Sequence, residues 1–164
     1  MYNRDNVNCF KIKCVDSQRE IINAVINVWT EKKHNPTIID LSSNQPYTYQ
    51  GVYNIVSIEY IDANDKIFKT EDIRTFDAFY KLYSLTTINN IKMLIKGCCA
   101  QYYMVKFLTN TLLIMKLSLG QRVDYSTPTV SLFAPEEDIK QIVTINEQKD
   151  YYCTWLESIK KIPY

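Results

Sequence analysis

Residues 52 to 61 alternate, with Val52, Asn54, Val56, Ile58 and Tyr60 on one set and Tyr53, Ile55, Ser57, Glu59 and Ile61 on the other. A period of two with one face more polar than the other describes a half-solvated strand. Asp62-Ala63-Asn64-Asp65 follows with side chains that stabilise tight turns, and residues 66 to 69 can return antiparallel. A hairpin at this point makes an antiparallel sheet the natural frame for the rest of the chain.

Residues 9 to 14 alternate as a short strand. Asp16 then leads into Ser17-Gln18-Arg19-Glu20, a capping-box pattern, and Ile21, Ile22, Val25, Ile26 and Trp29 fall on one helical stripe. This predicts an amphipathic helix that ends near His34, with Asn35-Pro36 as its stop. Residues 37 to 41 are β-rich, and residues 42 to 50 read as a polar loop around Pro46. Phe76, Phe79, Tyr80 and Tyr83 predict a helix from 75 to about 85. Residues 91 to 96 alternate as a strand ending at Gly97, and residues 98 to 110 fit either helix or strand. Residues 112 to 117 suggest a strand covered on both faces. Gly120 marks a turn, residues 129 to 133 suggest a strand, and residues 135 to 138 open a short helical turn. Thr144-Ile145-Asn146-Glu147 is a second capping box, followed by Tyr151, Tyr152, Trp155, Leu156 and Ile159 on one face of a C-terminal helix. The order β-α-β-β-β-α-β-β-β-α predicts one α+β domain over residues 1–164, a mainly antiparallel sheet with about three helices packed against it.

Composition narrows the functional classes. A chain of 164 residues with 46% hydrophobic and 23% charged side chains can bury a substantial core. Its three glycines argue against glycine-rich phosphate loops. A net charge of +1 supplies no field for nucleic acid or an anionic membrane, and the pairs Lys32-Lys33 and Lys160-Lys161 read as solvated helix ends. The polar start MYNRDNVN does not resemble a signal peptide, and the apolar run 112 to 115 is too short to span a bilayer. Neither nucleic acid nor membrane is expected as a partner. The odd set Cys9, Cys14, Cys98, Cys99 and Cys153 favours free thiols in a reducing cytoplasm over a disulfide framework.

Cues to catalysis are few. His34 is the single histidine, so a Cys–His or Ser–His pair would have to use it; it reads instead as an exposed helix-terminal residue. Cys9 and Cys14 fall on opposite faces of a strand, and no C-x2-C pair exists, so no metal site and no cofactor is expected. Buried thiols are the default at Cys9 or Cys14, at Cys98 or Cys99, and at Cys153. Glu71-Asp72 and Glu136-Glu137-Asp138 precede helical segments, where acids complement free N–H groups; Glu136, Glu137 and Asp138 could alternatively form an acidic patch for a basic partner. Tyrosines are abundant, and Tyr47, Tyr49, Tyr53, Tyr102, Tyr103 and Tyr125 lie in or beside predicted loops and edges, where an amphipathic ring suits a protein interface. The residues singled out for partner binding are Tyr102, Tyr103, Tyr125, Glu136, Glu137 and Asp138.

Three segments in roughly the last 70 residues, Leu94-Ile95-Lys96-Gly97-Cys98, Leu132-Phe133-Ala134-Pro135, and Glu147-Gln148 leading to Trp155, are similar in layout to bacterial immunity proteins. These are encoded beside polymorphic or contact-dependent growth-inhibition toxins. The resemblance implies a cytoplasmic protein that binds and neutralises one cognate toxin domain, often a nuclease, by stoichiometric protein–protein contact. The near-neutral charge departs from the acidity common in immunity proteins against basic nucleases, which leaves the toxin's class open. Two alternatives stand beside this expectation: a thiol-dependent enzyme using Cys98 or Cys99, and a viral or host-interaction protein.

Overall fold

The hairpin expected at residues 52 to 69 is present and lies within the largest sheet of the structure, a computed structural model that describes residues 6–162. In chain order the strands are β1 (Asn8–Val15), β2 (Ile21–His34), β3 (Thr37–Ile39), β4 (Pro46–Thr48), β5 (Val52–Asp62) and β6 (Ile67–Asp72). Helix α1 (Thr75–Ile88) follows, then β7 (Lys92–Met93), β8 (Tyr102–Tyr103), β9 (Leu113–Lys116), β10 (Thr129–Ser131) and helix α2 (Ile145–Ile159). The largest sheet is antiparallel with the order β6-β5-β2-β1-β7; β8, β9 and β10 form a three-stranded sheet, and β3 with β4 a two-stranded one. The α+β class is as expected. Two α-helices, rather than about three, occur among the described residues. Most of the polar N-terminal segment lies outside the described residues.

The missing helix is the segment after the first capping-box pattern. Residues 21 to 34 form β2, which pairs with β1 on one side and with β5 on the other. Asp16 does accept backbone N–H groups, but from Gln18 (3.0 Å) and Glu20 (2.9 Å), closing a β1–β2 turn in which Arg19 takes φ +63°. Ala24, Ile26 and Val28 are buried at a period of two, beside Val56, Ile58 and Tyr60 of β5. Ile21, Ile22, Val25, Ile26, Val28 and Thr30 are β-branched, which favours the pleated surface over a helix. His34 and Lys32-Lys33 are therefore on a strand, not at a helix end.

Helix α1 packs its Ala78, Phe79 and Leu82 on this core face, and Thr70 Oγ1 of β6 donates to the Ala78 carbonyl at 2.8 Å. The turn of the β5–β6 hairpin is held by Asp62, whose Oδ1 accepts from Asn64 N (2.8 Å) and Lys66 N (3.1 Å). The expected strand at 91 to 96 is reduced to β7, because Lys96–Cys98 form a 3₁₀ turn and Ile95 makes only a bridge to Pro135. The ambiguous stretch 98 to 110 resolves into β8 and a 3₁₀ turn at Lys106–Leu108. Strand β9 buries the adjacent Ile114 and Met115, so both faces are covered there. The helical turn expected at 135 to 138 starts later, at Ile139–Gln141. The second capping box is formed, with Thr144 and Glu147 exchanging side-chain bonds at the start of α2.

Beyond His34 and Val52 the β2–β5 ribbon does not stop. His34 pairs with Val52, whereas Thr37 pairs with Thr48, so two residues on one strand oppose three on the other. This β-bulge joins the ribbon to an arm made of β3 and β4, with Gly51 at φ +107° and Asn35 at φ +48°. The loop expected at 42 to 50 thus contains half of a hairpin. In the arm, Pro36 and Ile38 are buried, and every residue from 41 to 48 is exposed.

Candidate functional site

The arm leans along helix α1 and leaves a cleft of about 1310 Å³ between them. Its lining comes from the arm (Asp40, Leu41 and Tyr47), from α1 (Asp77, Ser84, Thr87 and Ile88) and from the first turns of α2 (Ile145 and Lys149). Asp77, Ser84 and Ile88 share one helical face because their spacing keeps to the helical repeat. Three large apolar side chains are conspicuously solvated here: Leu41 (41% exposed), Tyr47 (60%) and Ile88 (76%). The rings of Tyr47 and Tyr49 and of Tyr53 at the start of β5 form a run of contacts that crosses the bulge, with centroids 4.7 and 5.5 Å apart.

A second cleft of about 890 Å³ lies past the C-terminal end of α1, between the β1–β2 turn and residues 137 to 147. Thr87 and Thr144 line both clefts, so the two run together across one face. Ile21 and Ile139 add further exposed apolar surface. Scattered exposed hydrophobics are ordinary on a protein surface, but a contiguous set along a groove marks a site of contact. The walls of both clefts carry six carboxylates (Asp16, Asp40, Asp72, Asp77, Glu137, Glu147) against four cations (Arg19, Arg74, Lys92, Lys149). Of these, Asp77 is paired with Arg74 and Asp72 with Lys81. Asp40 Oδ1 accepts from the backbone and hydroxyls of Ser42 and Ser43, which holds its carboxyl down at about 2, the Ser42 hydroxyl contributing most.

The residues singled out from sequence are distributed unevenly. Glu137 lines the second cleft. Asp138 accepts from Lys140 N at 3.0 Å and caps the Ile139–Gln141 turn. Glu136 is half-buried and ion-paired with Lys96; its Oε1 accepts from Asp138 N (3.1 Å), and the Cys99 thiol donates to its Oε2 at 3.6 Å. Lys96, above all, holds the Glu136 carboxyl below the usual range. Its stabilising contribution is therefore fully present above the ordinary glutamate pKa and is lost as pH falls through the lowered folded value. The Lys96 ammonium also sits 5.3 Å from the Tyr102 ring centroid, so Tyr102, Lys96, Glu136 and Cys99 form one cluster. Tyr125 lies apart, 87% exposed and with its ring 4.6 Å from Phe107. Tyr103 is a correction: it is buried, 4.1 Å from the Tyr152 ring and in contact with Phe76 and Tyr80, and burial pushes its phenol up to about 12. Its ring belongs to the core, not to a surface.

Leu41, Ile88, Ile139 and Lys149 were not singled out. Tyr47 is one of the loop tyrosines, but only the pairing of Ile38 with Tyr47 shows that it stands on a strand beside a groove. Nothing local in the sequence marks Ile88, whose exposure depends on where α1 ends.

The thiols were expected to be buried in part. Cys14, Cys98 and Cys99 are buried, whereas Cys9 and Cys153 are exposed, the last contrary to expectation. Burial pushes the Cys14 thiol up to about 12 and the Cys98 thiol well above its usual value. Cys99 rises to about 12 through burial, with the Glu136 carboxylate adding to it. All three are protonated at neutral pH, the opposite of the state a thiol nucleophile requires. An aromatic disulfide reagent is expected to titrate two thiols rapidly in the native protein, Cys9 and Cys153, and all five only after denaturation. A third fast native thiol would contradict this burial pattern. Among the described residues no group of three or more His, Cys, Asp or Glu side chains is placed to hold a metal ion, and no helix is long and apolar enough to cross a membrane. Set against known proteins, the chain matches no protein-family model and no curated protein sequence.

Proposed function

We propose that this chain is a cytoplasmic bacterial immunity protein that binds a cognate toxin domain, in the first instance a nuclease, and neutralises it by stoichiometric contact. The supporting observation is the continuous face formed by the two clefts, where Leu41, Tyr47, Ile88, Ile21 and Ile139 are all solvated. Exposing five large apolar side chains along one groove is unfavourable for a free protein, and a partner that covers them recovers that cost. Tyrosine is well suited to such a surface, since a rigid ring gives contact area at little entropic cost. The modest excess of carboxylates on this face fits a basic cleft of the kind that binds nucleic acid, even though the whole chain is near neutral. The thiol-enzyme alternative draws no support from three buried, high-pKa cysteines.

The test is co-expression of the tagged chain with the protein encoded immediately upstream, scoring growth and isolating the complex. A one-to-one complex with rescue of growth is expected; neither complex nor rescue would sink the proposal. Within a complex, Tyr47→Ala is expected to weaken binding by about 2 kcal/mol, roughly 30-fold in Kd, as for a central aromatic anchor. Tyr125→Ala, at a residue that lines neither cleft, is expected to change Kd by less than about threefold. Equal effects at the two sites would move the interface elsewhere.

A further inference from the structure

We propose that the outer edge of β1, from Cys9 to Lys13, docks an extended segment of another protein in which acidic and apolar side chains alternate. Successive residues of an antiparallel strand turn their backbone groups to opposite sides. Asp16 N donates to Glu20 O at 2.9 Å, which sets the phase of the β1–β2 ladder, so Phe10, Ile12 and Cys14 bond to β2. Cys9, Lys11 and Lys13 therefore turn their N–H and C=O outward. Leu94 N agrees with this phase by donating to Lys13 O at 2.9 Å, and the β7 segment goes no further along β1. The chain departs there into the 3₁₀ turn at Lys96–Cys98, and the Leu94 carbonyl accepts from Glu136 N at 3.0 Å. The N–H and C=O of Cys9 and Lys11 are left with no backbone partner among the described residues. Both residues are exposed, so water satisfies these groups and an added strand can replace it.

The side chains beside this edge differ between its two faces. Away from the core, Lys11 and Lys13 are exposed across from the neutral Val25 and Asn23 of β2. Neither ammonium has an ion pair with any described residue. On the core face Phe10 is only half-buried, its ring 4.8 Å from that of Phe133. A strand added here sets alternate residues opposite Lys11 and Lys13, where carboxylates pair with the two charges. The residues between them lie on the side of Phe10, where apolar groups extend the core.

Lysine on an open edge also repels the wrong strand. A second copy of this chain, paired antiparallel over the whole of the edge, would set Lys11 against Lys11. The opposite edge of the sheet, β6, is capped instead by α1, where Lys81 Nζ donates to the Glu71 carbonyl at 3.0 Å. No residue from 8 to 13 lines either cleft, so the edge site stands independently of the toxin assignment.

The probe is a short fluorescent peptide of alternating Glu and Val, titrated with the full chain and compared with a peptide of alternating Lys and Val. The Glu peptide is expected to bind about tenfold more tightly, and Lys11→Glu with Lys13→Glu should reverse that order. Circular dichroism establishes that the double variant is folded. In the free chain the Cys9 and Lys11 amides should exchange fast with solvent and those of Phe10 and Ile12 slowly; the Glu peptide should slow the first pair. The proposal is overturned if the Glu peptide does not bind, or if a peptide of alternating Glu and Pro binds as well, since attraction without a strand would then suffice. Protection that appears at Ile67 and Lys69 would place the strand on β6, and protection of Cys9 and Lys11 that rises with chain concentration alone would make a second copy the occupant. Either result also overturns it.

Discussion

Gln148→Met is expected to lower the unfolding free energy by about 4 kcal/mol, because the clasp it removes is buried and has many partners. Gln148 lies on α2 and is 1% exposed. Its Nε2 donates to the carbonyls of Gly97 (2.9 Å), Cys99 (2.9 Å) and Tyr102 (3.1 Å), while its Oε1 accepts from the Tyr80 hydroxyl on α1. One side chain thus ties α2 to the 3₁₀ turn, to β8 and to α1. Methionine keeps the volume but leaves the Tyr80 hydroxyl and the carbonyls without their partner, at about 1–3 kcal/mol for each group left unsatisfied. Gln148→Glu should be at least as damaging, since a carboxylate would face three carbonyl oxygens. Urea unfolding followed by tryptophan fluorescence measures both. A loss below about 1 kcal/mol for Gln148→Met would mean that water replaces the clasp.

Gly97→Ala is expected to cost about 3 kcal/mol, although a Gly→Ala change at an unstrained position commonly stabilises a protein. A Cβ at residue 97 would stand 2.6 Å from Leu132 Cδ1, 2.8 Å from the Leu132 carbonyl oxygen and 3.1 Å from Phe79 Cζ. The Leu132 methyl could turn aside, but its backbone cannot, because Gly97 N donates to that same carbonyl at 3.0 Å. Adding Leu132→Ala should therefore restore little of the lost stability. Full recovery in the double variant would assign the clash to the side chain alone. The segments around Gly97, Leu132 and Gln148 meet in one place, with Lys96 N also donating to Ala134 O at 2.7 Å.

Local chemistry made some elements legible. The β5–β6 hairpin and the capping box of α2 depend on residues close in sequence, and both form as their patterns predict. Strand β2 was misread because Ile21, Ile22, Val25, Ile26 and Trp29 satisfy a helical period while Ala24, Ile26 and Val28 satisfy a β one. The decision between them lies with β1 and β5, which flank β2 on both sides and which no local window contains. Asp16 misled in the same way, since an aspartate that accepts backbone N–H groups serves a tight turn as well as a helix start. For the candidate face, Glu137 was visible as an exposed acid, but the face itself was not. It is assembled from an arm, the end of one helix and the start of another, and its apolar members are separated by most of the chain.

The bulge at Asn35 and Gly51 also divides the molecule by tolerance to change. On the sheet side of it, the side chains of β2 and β5 interlock with α1, and a substitution there disturbs many neighbours at once. On the arm side, residues 41 to 48 are all solvated and their turn is stabilised by its own Asp40. Sequence can drift there, changing the shape and charge of the arm, while the folding free energy hardly moves. One short hairpin can be rewritten in a protein built this way, with its core as an unaltered chassis.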